Sequence, residues 1–79
     1  FKLTLIGGLY MPLTMVKLGE TNFIKKITGK DETRKFLARL GFVEGESVTV
    51  VSELSGNMIL SIKDTRVALD KNMASRIIV

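Results

Sequence analysis

Seventy-nine residues suffice for one domain and are too few for two. With no cysteine and no histidine, the chain has no disulfides, thiolate or imidazole metal ligands, cysteine nucleophiles or histidine acid/base chemistry, so most of the usual catalytic apparatus is missing. Twelve basic and eight acidic residues leave a net charge of +4, a mild bias toward anionic surfaces.

Residues 1–13 carry a single charge, Lys2, together with Gly7-Gly8 and the only proline, Pro12. The longest apolar stretch, residues 3–16, is broken by these glycines and the proline and falls short of the roughly 20 apolar residues a spanning helix needs. No small-x-small cleavage site follows it, which argues against a signal peptide. Met11 reads as a natural start, with residues 1–10 a vector-derived or otherwise extra segment and residues 11–79 the domain proper. The rival reading gives residues 2–6 an extra strand along a sheet edge.

From Val16 onward, glycines at 19, 29, 41, 45 and 56 divide the chain into pieces of strand length. Residues 23–28 (FIKKIT) read as a strand. Residues 31–40 read as a helix, with Asp31 as its cap and Asp31 and Glu32 at the positive end of the dipole. Thr33, Phe36, Leu37 and Leu40 fall in one stripe about 100° wide, and burial of that stripe would make Leu40→Ala costly. Gly41 suits the left-handed position after the helix, and Phe42 the hydrophobic position that packs back on Leu37. Val43-Glu44-Gly45-Glu46 fits a type II turn with positive φ at Gly45.

Residues 47–54 and 57–63 alternate with period two, Val48 and Val50 on one strand and Met58, Leu60 and Ile62 on the next. A two-residue type II′ turn at Gly56-Asn57 would join them. A turn at Asp64-Thr65 leads to a strand over residues 66–69. Residues 70–74 form a helical turn capped by Asp70, and residues 75–79 form the last strand. So many short strands in one small chain are most economically closed on themselves, which gives a mainly β fold: a partly open barrel with one short helical insertion.

Half of all basic side chains, Lys25, Lys26, Lys30, Arg34, Lys35 and Arg39, lie within fifteen residues, opposed there only by Asp31 and Glu32. One reading is a solvated helix face on which Arg34 bonds a nearby carboxylate or loop carbonyl. The other is a docking surface for an acidic partner, where the planar guanidinium adds geometric selectivity. The carboxylates suggest no acid/base couple; Glu44, Glu46, Glu53 or Asp64 could at most contribute to a weak hard-metal site. The four methionines read as core filler, the isolated glycines form no phosphate-binding loop, and the few aromatics offer no stacking platform for nucleic acid.

The ordered set Leu18-Gly19-Glu20, Ile27-Thr28-Gly29, Arg34 with Leu37, Leu40-Gly41-Phe42-Val43-Glu44-Gly45, Ile62-Lys63, Arg66-Val67-Ala68-Leu69 and Ala74-Ser75-Arg76-Ile77-Ile78-Val79 resembles the ferrous iron transport protein A (FeoA) family over residues 11–79. The resemblance implies an SH3-like barrel in the bacterial cytoplasm, without enzymatic activity and with no resident cofactor beyond a weakly held Fe(II) or other divalent ion. The implied partner is the soluble, GTPase-containing part of the membrane transporter FeoB, so the chain would reach the membrane only through it. Arg34, Lys35 and Arg39, with Phe42 and Glu44 in the following turn, are the candidate partner-binding residues. Two alternatives stay open: a direct Fe(II) carrier, and the similar SH3-like domain of an iron-dependent repressor.

Overall fold

The computed structural model describes residues 10–79, so the strand expected over residues 2–6 lies outside the described residues. After a 3-10 turn, Leu13–Met15, come strands β1 Thr21–Phe23 and β2 Lys26–Ile27, helix α1 Asp31–Arg39, and strands β3 Ser47–Leu54, β4 Asn57–Ile62 and β5 Thr65–Asp70. Helix α2 Lys71–Ala74 and strand β6 Ile77–Ile78 complete the chain. Strands β1, β3, β4 and β5 form one antiparallel sheet in the order β1-β3-β4-β5, and β2 and β6 form a second.

The single strand expected over residues 23–28 is instead a bent one shared between the sheets. β1 pairs with β3 up to Phe23↔Ser47, and β2 pairs with β6 from Lys26↔Ile78. At the bend the Ile24 N–H donates to the Glu46 carbonyl at 2.9 Å, and the Ile24 carbonyl accepts from the Gly45 N–H at 2.8 Å. The Lys25 N–H then donates to the Ile78 carbonyl at 2.7 Å. The backbone thus changes sheets with its polar groups still paired, while the Ile24 side chain is buried at the corner. Met11 and Val79 exchange two backbone bonds, and Pro12 bridges Ile78 beside them. The outcome is the partly open barrel read from the sequence.

Both tight hairpin turns fall one residue earlier than expected. The pairs Leu54↔Asn57 and Ile62↔Thr65 place the turns at Ser55-Gly56 and Lys63-Asp64. Both turns have positive φ at both central residues, 51° and 81° in the first and 49° and 62° in the second. That is the signature of type I′, not II′, and its twist matches that of the flanking strands. In β3 the register shifts between Val50 and Ser52, so the period-two burial of Val48 and Val50 does not extend to the strand's end. Met58, Leu60 and Ile62 are buried as read. The last strand is shorter than expected, reduced to Ile77–Ile78.

Helix α1 begins differently from the reading. Lys30 occupies the cap position with no side-chain bond, while Asp31 is the first helical residue and forms an ion pair with Arg34 at 3.5 Å. The helix end is as read. The Phe42 N–H donates to the Leu37 carbonyl and the Gly41 N–H to the Ala38 carbonyl, both at 3.0 Å, with Gly41 at φ +105°. These are the two bonds of a Schellman ending. Leu37 and Phe42 are both fully buried, whereas Leu40 is half-buried and Phe36 is 42% exposed, so the stripe that rests on the barrel is narrower than expected. Helix α2 is capped as anticipated, the Met73 N–H donating to Asp70 Oδ1 at 2.8 Å.

Leu37→Ala, rather than Leu40→Ala, is therefore the costly truncation and should lower stability by about 2–5 kcal/mol in urea unfolding. Gly41→Ala should cost about 1–2 kcal/mol although its Cβ would meet nothing nearer than Lys63 Cδ at 3.6 Å, because the cost lies in the backbone. Gly41→Asn should cost less than Gly41→Ala in the same measurement, since asparagine tolerates positive φ better.

Candidate protein-docking surface

Because only one side of α1 meets the barrel, its polar side stays in solvent. Lys35 and Arg39, one turn apart, are exposed there, and Arg34 lies beside them, held by Asp31. Asp31, Arg34, Lys35 and Ala38 line a shallow open depression on this side. The guanidinium of Arg34 thus has the local carboxylate that the plainer sequence reading gave it, and it remains exposed in that pair.

The five candidate contact residues do not share one surface. Arg34 and Lys35 line the depression on α1, Arg39 is exposed one turn beyond Lys35, and Glu44 is exposed in the turn beyond the helix. Phe42 is buried at 0% exposure and cannot be a surface contact; its place is the anchor of the helix end. The reading missed Phe36, which stands in solvent next to Lys35 and three residues before Arg39. Helical periodicity placed it in the apolar stripe, and nothing local shows that the barrel ends short of it.

Arg76 was also missed. β2 and β6 continue as a pair beyond their ends, the Thr28 N–H donating to the Arg76 carbonyl at 2.8 Å. A Cβ placed on Gly29 would meet Arg76 Cδ at 3.5 Å and Thr33 Cγ2 at 3.6 Å, so the arginine stem packs on the loop that launches α1. Sheet pairing therefore joins a C-terminal cation to the basic segment. Lys26 completes this side, its Nζ 5.8 Å from the centre of the Tyr10 ring, a cation–π distance.

The carboxylates are distributed differently. Glu46 pairs with Lys63 at 3.7 Å, and Glu53 forms an ion pair with Lys71. Among the described residues, Lys25, Lys26, Lys30, Lys35, Arg39 and Arg76 make no ion pair. The described residues also contain no group of three or more carboxylates placed to hold a metal ion, and no helix among them is long and apolar enough to cross a membrane.

Comparison with known proteins places this geometry. The crystal structure of an iron uptake regulatory protein, FeoA, superposes with a TM-score of 0.82 at 25% identity, covering 90% of this chain and 96% of that one. FeoA of Stenotrophomonas maltophilia in complex with zinc, described as a prokaryotic SH3 domain protein, superposes with a TM-score of 0.75 at 26% identity, covering 85% of this chain and 86% of that one. A manganese-dependent transcriptional repressor shares the fold alone, with a TM-score of 0.80 at 20% identity, covering 89% of this chain but 40% of the repressor. No curated protein sequence matches the chain. The FeoA domain family matches residues 11–79, nearly the whole of the sequence, and the chain, an SH3-like barrel carrying a helical insertion, belongs to that family.

Proposed function

We propose that this chain is a non-enzymatic accessory protein of bacterial ferrous iron uptake, acting in the cytoplasm by docking on the soluble, GTPase-containing part of a FeoB-type transporter. The observation that carries the reading is the solvent-facing side of α1, where Lys35 and Arg39 have no internal counter-charge among the described residues and flank the exposed Phe36. Charges of that kind steer an acidic partner into register, while an exposed aromatic can be desolvated on contact and hold it. Membership of the FeoA family supplies the physiological setting. The repressor likeness is one of fold, and the family match favours the transport setting over it.

The zinc held by the Stenotrophomonas relative raises direct metal binding as a competing role. A chain without histidine or cysteine, and without a carboxylate cluster among its described residues, is a poor fit to a zinc centre. Glu46 and Glu53 are moreover engaged by lysines. Ferrous iron is then cargo for the transporter, and this chain acts on the protein that carries it.

The double charge reversal K35E/R39E should weaken binding to the cognate transporter's soluble domain about tenfold or more, with association slowing most. Its unfolding midpoint should hold, since exposed substitutions usually change stability by less than about 0.5 kcal/mol. Titrations run with GDP and with a non-hydrolysable GTP analogue would show whether the contact reads the nucleotide state. Affinity unchanged by the reversal removes α1 from the interface. Anaerobic calorimetry with Fe(II) should give no stoichiometric binding at micromolar concentration; a one-to-one isotherm there would instead make the protein a carrier.

A further inference from the structure

Two strands end the four-stranded sheet, and they differ in length: β1 has three residues and β5 has six. Among the described residues β5 is bonded along its length to β4, and only its last residue, Asp70, is shared with another element, its C=O accepting the first bond of α2. The two-residue turn at Lys63-Asp64 makes Ile62↔Thr65 a hydrogen-bonded pair, so Val67 and Leu69, opposite Leu60 and Met58, are bonded to β4 as well. The N–H and C=O groups of Arg66 and Ala68 and the N–H of Asp70 therefore point away from the sheet, while the Asp70 C=O belongs to the first turn of α2. Their side chains share the exposed outer face, while Leu69 is buried and Val67 half-buried beneath.

We propose that this edge is a self-association surface, on which two copies of the chain pair antiparallel through β5 about a two-fold axis at Ala68. In that register each Arg66 lies opposite the Asp70 of the other copy, and the two alanines face each other at the axis with nothing bulky between them. The N–H and C=O of Ala68, the C=O of Arg66 and the N–H of Asp70 are the outward backbone groups that such a pairing consumes. Asp70 Oδ1 accepts the cap bond from Met73, which leaves the other carboxylate oxygen for the guanidinium.

The same charges select against other registers. A two-residue slip in one direction sets Asp64 against Asp70, and in the other it moves Arg66 past the strand end to face Asn72. Like charges directly opposite are destabilising, and a one-residue slip would turn the outer face of one copy against the core face of the other. A bare edge that attracted any strand would be an aggregation hazard; this one carries charges that are complementary in one arrangement. One short strand pair is small against the roughly 1,000 Å² of a durable interface, so the dimer should be weak and concentration-dependent. The proposal goes beyond transporter docking and uses a different element.

Sedimentation equilibrium of the full chain from micromolar to about 1 mM tests it. The apparent mass should climb from 8.7 kDa toward twice that value. Ala68→Pro removes an outward N–H without touching the β4 ladder and should leave a monomer. R66E sets like charges at both ends of the pair and should weaken association about tenfold or more, while leaving the affinity for the transporter's soluble domain unchanged. Should Ala68→Pro fail to fold by circular dichroism, R66E, which alters an exposed side chain, still decides. A monomer across the whole range, or a dimer indifferent to R66E, overturns the proposal.

Discussion

The structure depends on the corner at Ile24. A chain this short cannot stack two separate sheets, each with edges of its own, because the core between them would be too small to offset the cost of ordering both. It uses one run of backbone twice. Residues 21–23 serve the larger sheet and residues 26–27 the smaller, and the bonds from Ile24 to Gly45 and Glu46 and from Lys25 to Ile78 carry the ladder around the bend. Loss of that continuity would leave β6 tied to the larger sheet through α2 alone, the short helix that follows β5 and whose Lys71 N–H bonds the Gly56 carbonyl. The buried Ile24 side chain makes the corner part of the core rather than a strained link outside it.

Helix α1 inherits its position from the same corner. The turn holding Gly45, which follows the helix, is bonded to Ile24, and the strand that precedes the helix is bonded to β6. Held at both ends by backbone, the helix needs little apolar surface of its own, and it buries only Leu37 fully. Phe42, one residue past the Schellman glycine, contributes as much to fixing it as the helix residues do, since its side chain is fully buried while its N–H closes the last turn. A helix anchored in this way can present most of its circumference to another protein without loosening the barrel.

What the sequence made legible was local and periodic. The alternation of Met58, Leu60 and Ile62, the Gly41-Phe42 ending and the Asp70 cap each depend on neighbours a few residues away, and all three appear as read. The errors arose where local preference is nearly degenerate or distance enters. Gly56-Asn57 suits a hairpin by composition as well as Ser55-Gly56 does, and the pairing of β3 with β4, not the dipeptide, selects the turn that puts Ser55 at positive φ. Residues 23–28 have the composition of one strand, and their bend is imposed by β3 and β6. Phe36 and Arg76 belong to the exposed surface through where the barrel stops and how β6 lies against β2, neither of which is written nearby. Phe42 shows the opposite case: its place in the helix ending is local and legible, and that buried place is what excludes it from the surface.

The separation of charge follows from the same architecture. Glu46 and Glu53 lie on or just before β3, where the sheet and α2 bring Lys63 and Lys71 within reach, so acids there are neutralised internally. The basic residues of β2, the following loop and α1 face outward from elements that have only Asp31 and Glu32 beside them, and Arg76 is added by β6. A net charge of +4 is modest when spread over a whole surface, yet most of the uncompensated part is gathered around one helix. At physiological salt, exposed charges act mainly within a Debye length of about 8 Å, so a gathered cluster pulls on a partner at contact in a way that the same charges dispersed would not. The fold thus turns a slightly basic composition into an oriented one, and orientation is what a small protein must supply if it is to dock on a much larger one in a single pose.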